Sequence, residues 1–576
     1  MWQAPLPAFQ DRTAVIKEWL AECQSLEHGH HQCKPQDPAR LLPTRLLDLD
    51  IATGSGQDLK LVHTADLDPT TNYTTLSHCW GPPVVLPPIH TTKSQIDEFC
   101  AIIPFLSLPQ NFRDAVTLTR MLNIRYLWID SLCIIQDDID DWQVEAARMA
   151  SYYQNSYLTI GAAASAHCYG GFIKELEPSL YSPYTVGSDS HGTARMRKAT
   201  AGENLRLRFD DRGNLTQNPL LQRAWVLQEQ VLSPRAVFFF GSNQMYWQCR
   251  NFFASEDGTL QVHRLSLMWW NMERPFDMSD PTLAHSLWRH LATDYSLRRL
   301  TYATDRGPAI AGLVEFYRKH TGHTPLLGLW KETLCFDLCW ELVNRKSAYR
   351  NDSLDFITAQ EHGSQFPSWS WLSSIGADSD VEVRMWLNPA QVEAGGFATE
   401  LEVLSAETTW HASPFTSGLR SAKLEVRGLT MNAVLGEPVK DQFYDYKGLL
   451  VALELSDKPE APHPKWNPPR NVSLDRCLDQ SSSRAVILLH LHQEIELKDL
   501  LHSLDGMFGI PRAKTCFVKD TYLCLRQCPD DPTKHQRLGV SQETSFLPWD
   551  EGVTAFGNTI LGGWCREENR CVLELV

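Results

Sequence analysis

The sequence predicts an α/β protein built on a parallel sheet with helices on both faces, followed by a helical region and then a β-rich region. Three observations predict this. The run Arg125 to Asp138, RYLWIDSLCIIQDD, packs Tyr126, Leu127, Trp128 and Ile129 together and stops at Asp130, the pattern of a strand buried on both faces. Strand-like and helix-like segments alternate around it, which implies right-handed crossovers between parallel strands. Beyond about Glu400, β-rich runs such as Lys423 to Leu429 and Arg570 to Leu575 replace the helical periodicity.

A chain of 576 residues exceeds the usual single core, and the pattern divides it into four segments. Residues 1–70 are helical and irregular, 71–250 carry the α/β pattern, 251–375 form a helical Trp-rich extension, and 376–576 are β-rich. With 69 acidic against 53 basic side chains the net charge is −16, and no Lys/Arg block offsets it locally. Nucleic acid is therefore excluded as a main partner, because duplex binding leans on phosphate neutralisation. No apolar run approaches the ~20 residues of a membrane helix, and no basic leader precedes an apolar core, so no membrane span and a cytoplasmic location are expected. Fifteen scattered Cys without a repeating framework fit buried thiols in a reducing compartment.

Taken in order, Val15 to Cys23 has helical spacing and leads into a His-rich turn. There Cys23 and Cys33 bracket His28, His30 and His31, but the spacing fits no standard structural site; a solvated turn and no metal are expected. A short strand is expected near Leu46 to Ile51. Tyr73 to Gly81, YTTLSHCWG, is a β-branched strand with Ser77, His78 and Cys79 at its carboxyl end and Trp80 at the break. Adjacent residues on a strand point to opposite faces, so Ser77 and His78 cannot form a local nucleophile–base pair.

Asn111 is the expected cap of a helix from Arg113 to Leu122, which feeds the central strand. After that strand Asp140 and Gln143 read as a capping box, with Trp142, Ala146, Met149 and Tyr153 on one apolar face and Glu145 on the wetter one. Tyr157 to Ala164 is the third buried strand, its small residues allowing close helix approach. Residues from Ile173 to Thr216 read as an insertion. A helix from Arg223 to Glu229 and a strand from Ala236 to Phe240 close the α/β pattern, and Cys335 and Cys339, one turn apart, read as core.

Three blocks in this order, YTTLSHCWG, RYLWIDSLCIIQDD with DWQVEAARM, and RAWVLQEQVLSPR, together with a trailing PSWSW, resemble the fungal heterokaryon-incompatibility (HET) domain. His78 departs from the family, which more often carries tyrosine there. The resemblance implies a role in fungal non-self recognition (allorecognition), with signalling partners in programmed cell death. It also implies a distant similarity to TIR domains, flavodoxin-like sheets of which many hydrolyse NAD and complete their sites between protomers. In those enzymes a Trp precedes the catalytic glutamate by four positions, the offset of Trp225 and Glu229 here.

On that reading NAD or a related nucleotide is the substrate and no cofactor is required. Glu229 is the catalytic carboxylate, and Ser77, His78, Cys79, Trp80, Asp130, Arg223 and Trp225 line the substrate. A fixed carboxylate beneath the ribose answers the oxocarbenium character of N-ribosyl cleavage, and Asp130 meets ribose hydroxyls, as acidic groups do at other dinucleotide sites. The alternatives are a structural ion pair of Glu229 with Arg223 or Arg235, a HET fold that only recruits partners, and a metabolic enzyme holding a divalent cation at Asp137, Asp138, Asp140 and Asp141.

Overall fold

A computed structural model describes residues 9–25, 30, 33, 41–50, 57–81, 89–174, 184–189, 192–196, 218–240, 245–250, 252–256, 261–263, 266–267, 270–271, 281–344, 365–374, 381–385, 397–398, 401–438, 449–456, 471–474, 485–499, 514–548 and 570–575. The chain forms two compact units. Residues 1–277, 298–300 and 308–315 make the first, and residues 278–297, 301–307 and 316–576 the second.

The first unit contains α1 (Phe9–Gln24), β1 (Arg45–Asp48), β2 (Lys60–His63), β3 (Tyr73–Ser77), α2 (Ile96–Ala101), α3 (Gln110–Met121), β4 (Tyr126–Trp128), α4 (Asp130–Cys133), α5 (Ile139–Gln154) and β5 (Leu158–Gly161). A hairpin of β6 (Tyr184–Asp189) and β7 (Gly192–Met196) follows, then α6 (Ala224–Leu232), β8 (Arg235–Phe239), β9 (Met245–Cys249), β10 (Phe252–Ser255) and β11 (Gln261–His263). Nine strands join in the order β11-β10-β9-β8-β5-β3-β4-β1-β2. The pairs β4–β3, β3–β5 and β5–β8 are parallel, and every other pair in this sheet is antiparallel. Counted along the chain, the parallel strands therefore stand in the order 2-1-3-4.

Strand order decides where the helices lie. The path from β3 to β4 runs one way across the sheet and the path from β4 to β5 to β8 runs the other, so right-handed crossovers put α3 on one face and α5 with α6 on the opposite one. Side chains of β3 agree. Tyr73 Oη donates to Tyr152 O on α5 at 2.7 Å, whereas Thr74 Oγ1 meets Thr119 Oγ1 on α3 at 2.8 Å. Alternation then assigns Thr75 and Ser77 to the α5/α6 face, and Leu76 and His78 to the α3 face. All five β3 residues are buried, as a strand covered on both sides requires.

Several sequence expectations are corrected. The cap of α5 is Asp138, not Asp140: its side chain accepts from the backbone N–H groups of Asp140 and Asp141. Glu145 is buried rather than solvated, accepting from Thr44 Oγ1 at 2.5 Å and Tyr152 Oη at 3.0 Å. Pro109, not Asn111, precedes α3, and Asn111 turns inward to bond His167 O and Ser165 Oγ. His30 is fully buried, so the solvated His-rich turn does not hold for that residue; Glu27, His28 and His31 lie outside the described residues. So does most of the expected insertion, apart from the β6–β7 hairpin.

The second unit has a helix at Pro281–Ser296 and a Trp-rich core in which Trp330 packs on Trp288 and Tyr317 with ring centroids 4.9 and 4.3 Å apart. The PSWSW element is interior: Trp369 and Trp371 are fully buried, their indoles donating to Leu575 O and Gly328 O. Strand Leu419–Pro438 pairs in turn through Ala485–Asp499, Lys514–Gln527, Lys534–Pro548, Asn471–Leu474 and Leu449–Leu455 back to itself. The ring is antiparallel and closed, which is how a β-rich region removes its open edges.

Candidate functional site

In an open α/β sheet the ligand crevice lies beyond the carboxyl ends of the parallel strands, where the order reverses. Here the reversal falls at β3 and its neighbours, and β3 ends in Ser77 with His78, Cys79 and Trp80 following. The α6 helix enters this rim at Arg223, after a 3-10 turn at Leu220–Gln222. The guanidinium of Arg223 donates through Nη1 to His78 O, tying the helix start to the end of β3.

Glu229 lies in the second turn of α6 and is buried, with the Ser77 and Tyr153 hydroxyls beside its carboxyl group. Burial pushes its pKa up from 4.5 to about 7, against the opposing pull of Ser77, Arg223 and Tyr153. Among the described residues no cation lies within ion-pair distance of it; Arg235 instead donates to Cys23 Sγ, Tyr157 O and Cys33 O. The structural ion pair weighed from sequence is therefore not formed. Ser77 Oγ makes no hydrogen bond of normal geometry although buried. Cys79 shares the neighbourhood of Arg223 and Glu229, and desolvation raises its thiol pKa.

The other face of β3 holds a separate group. His78 is buried edge-on to Phe112 of α3, 5.0 Å between centroids, and burial lowers its pKa to about 4. Its Nδ1 lies 3.8 Å from Asp130 Oδ1, and its Nε2 has no partner among the described residues. Asp130 opens α4 just past β4 and accepts from Ser131 N at 2.7 Å and from Trp80 Nε1 at 2.8 Å. Ser77, Cys79, Arg223 and Glu229 thus gather on one side of β3 and His78 on the other, while Asp130, at the end of the neighbouring β4, meets His78 and Trp80. The Asp130 charge still reaches Glu229 and helps raise its pKa. Trp225 is half-buried against the core of the unit.

Three of the four carboxylates in the acidic run after β4, those of Asp137, Asp138 and Asp141, are engaged by protein groups. Asp137 accepts from Lys93 N, Asp138 caps α5 and pairs with Lys93 Nζ at 3.2 Å, and Asp141 binds Arg45 and Ile135 N. A further contributor, Tyr153 beside Glu229, carried no sequence signal beyond its place on the apolar face of α5.

Among the described residues no helix is long and apolar enough to cross a membrane. No curated protein and no solved structure matches the chain. Residues 73–229 match the family described as Heterokaryon incompatibility protein (HET), a span that opens on the first residue of β3 and closes on Glu229. The chain thus carries a heterokaryon-incompatibility (HET) domain over residues 73–229, which hold the parallel strands β3, β4 and β5 of its first unit.

Proposed function

We propose that this HET domain binds a nucleotide of the NAD class at the carboxyl ends of β3 and β5 and hydrolyses its N-ribosyl bond, acting in fungal regulated cell death. The carrying observation is Glu229: a buried carboxylate without an ion pair, its pKa near 7, beside the buried Ser77 hydroxyl at the strand-order reversal. The order 2-1-3-4 supports it, being that of the flavodoxin-like sheets to which TIR domains belong. So does the Trp225–Glu229 offset shared with TIR enzymes.

In the reaction the C1′–N bond breaks and nicotinamide leaves neutral, so no general acid is needed. Ionised Glu229 faces the positive charge that develops on the ribose. Water then adds at C1′ and releases a proton, giving the ADP-ribose product. Asp130 and Arg223 hold ribose and phosphate groups at the rim.

The test is NAD loss with purified full-length protein, across concentrations that allow protomers to assemble. Wild type turns over and Glu229→Gln does not. Equal turnover in both removes the residue, and none in wild type removes the chemistry. That last outcome favours a partner-recruiting HET module, a reading supported by Asp130, whose oxygens are already engaged by Trp80 and Ser131.

A further inference from the structure

The first unit holds a second cluster unconnected with Glu229. Cys23, His30, Cys33 and Cys249 are all buried, and their potential ligand atoms lie within 4.8 Å of one another. Periodicity explains how two of them meet. On α1 the residues Ile16, Trp19, Leu20 and Cys23 form one buried stripe, and on β9 Met245, Trp247 and Cys249 share a face. Trp19 packs on Trp247 with centroids 5.8 Å apart. Four helix residues onward advance about 6 Å and two strand residues onward about 6.6 Å, so the tryptophan pair sets Cys23 opposite Cys249.

We infer that Cys23, His30, Cys33 and Cys249 bind a structural zinc ion that fastens α1 to β9 in the antiparallel flank of the sheet. His30 Nδ1 lies 3.8 Å from Cys33 Sγ and 3.7 Å from Cys249 Sγ. Bond lengths of 2.0–2.3 Å in a tetrahedral Cys3His site imply ligand–ligand edges of about 3.6–3.8 Å. Three thiolates and one imidazole select a soft-tolerant ion such as zinc over magnesium or calcium. Four protein ligands leave no open position, which makes the site structural rather than catalytic.

Surrounding groups fit the charge. Zinc with three thiolates carries a net charge of −1, and the Arg235 guanidinium donates through Nε to Cys23 Sγ at 3.2 Å and through Nη2 to Cys33 O at 3.1 Å. Phe252 N donates to Cys249 Sγ at 3.3 Å, the kind of outer contact that holds a thiolate ligand in place. His30 Nε2, left to carry the ring proton, sits edge-on to Phe252 without a hydrogen-bond partner among the described residues.

Elemental analysis of the reduced full-length protein, after zinc supplementation and exhaustive dialysis, is expected to find about one zinc per chain. Cys33→Ser and Cys249→Ser lose it, and Cys571→Ser, at an exposed thiol, keeps it. Cobalt substitution of wild type needs no variant to fold: intense tetrahedral d–d bands with a sulfur-to-cobalt charge-transfer band are expected. Background metal in wild type, full retention in the Cys33→Ser/Cys249→Ser double variant, or a weak octahedral cobalt spectrum overturns the assignment.

Discussion

Trp80 Nε1 donates to Asp130 Oδ2 at 2.8 Å, joining the turn that ends β3 to the residue that opens α4 beyond β4. Two adjacent parallel strands are thereby clamped at their carboxyl ends by a bond to a charged acceptor, the stronger class of hydrogen bond. Trp80→Phe keeps an aromatic ring, though a smaller one, and removes the donor. It is expected to cost about 1–2 kcal/mol in urea unfolding followed at the first unit. An unchanged midpoint would show that the clamp contributes nothing.

Glu229 and His78 titrate in opposite senses. Glu229 is raised in the folded chain from 4.5 to about 7, so its burial penalty is absent below about pH 4.5 and develops as pH rises through 7. The shift corresponds to about 3 kcal/mol. Glu229→Gln should therefore stabilise the chain above pH 7 and make little difference below pH 4.5, as read by the difference between variant and wild-type unfolding free energies. A difference that does not vary with pH would place the carboxylate in solvent.

His78 is depressed from 6.5 to about 4, so its neutral form is favoured on folding and its share of stability is lost as pH falls from 6.5 through 4. Between pH 4.5 and 6.5 the two groups offset each other in wild type. His78→Tyr, which keeps an aromatic ring against Phe112, should remove that acid sensitivity and leave a chain that gains stability on acidification across this window. The slope difference read against wild type is expected to approach one proton; a slope equal to wild type rejects it.

If Glu229 acts as a carboxylate in N-ribosyl cleavage, turnover follows its ionised fraction. Rate at saturating NAD should rise with pH and level off above about 7. A profile that falls through this range would assign Glu229 the role of an acid instead.

The parallel core was legible because each of its pieces is a local pattern: the apolar run before Asp130, the helical spacing of α3 and the small residues of β5. What escaped was set by distant partners. Glu145 looks like a surface residue from its own helix, yet Thr44, 101 positions earlier, arrives to satisfy it. His30 looks like part of a wet turn until Cys249, 219 positions later, is placed beside it by the β9 strand. The antiparallel flanks β1–β2 and β9–β11 likewise depend on which edge of the sheet stays open, and no local period records that. Ser77 and His78 show the opposite case, since alternation alone put them on different faces.

Gly161 closes β5 where it pairs with β8, opposite Phe238. A methyl group on its Cα would lie 2.3 Å from the Phe238 ring, so the close approach of these two parallel strands requires glycine on packing grounds rather than backbone ones. Phe238 is itself buried in a cluster with Cys79, Ala163 and Val226, leaving the ring little room to move. Gly161→Ala is thus expected to destabilise the first unit by about 1–3 kcal/mol, the usual cost of overpacking. Adding Phe238→Leu opens the space and should recover part of that loss, so the double variant is less destabilised than the sum of the singles. Strict additivity in a double-mutant cycle would show that the two side chains do not meet, and with it that the β5–β8 register is wrong.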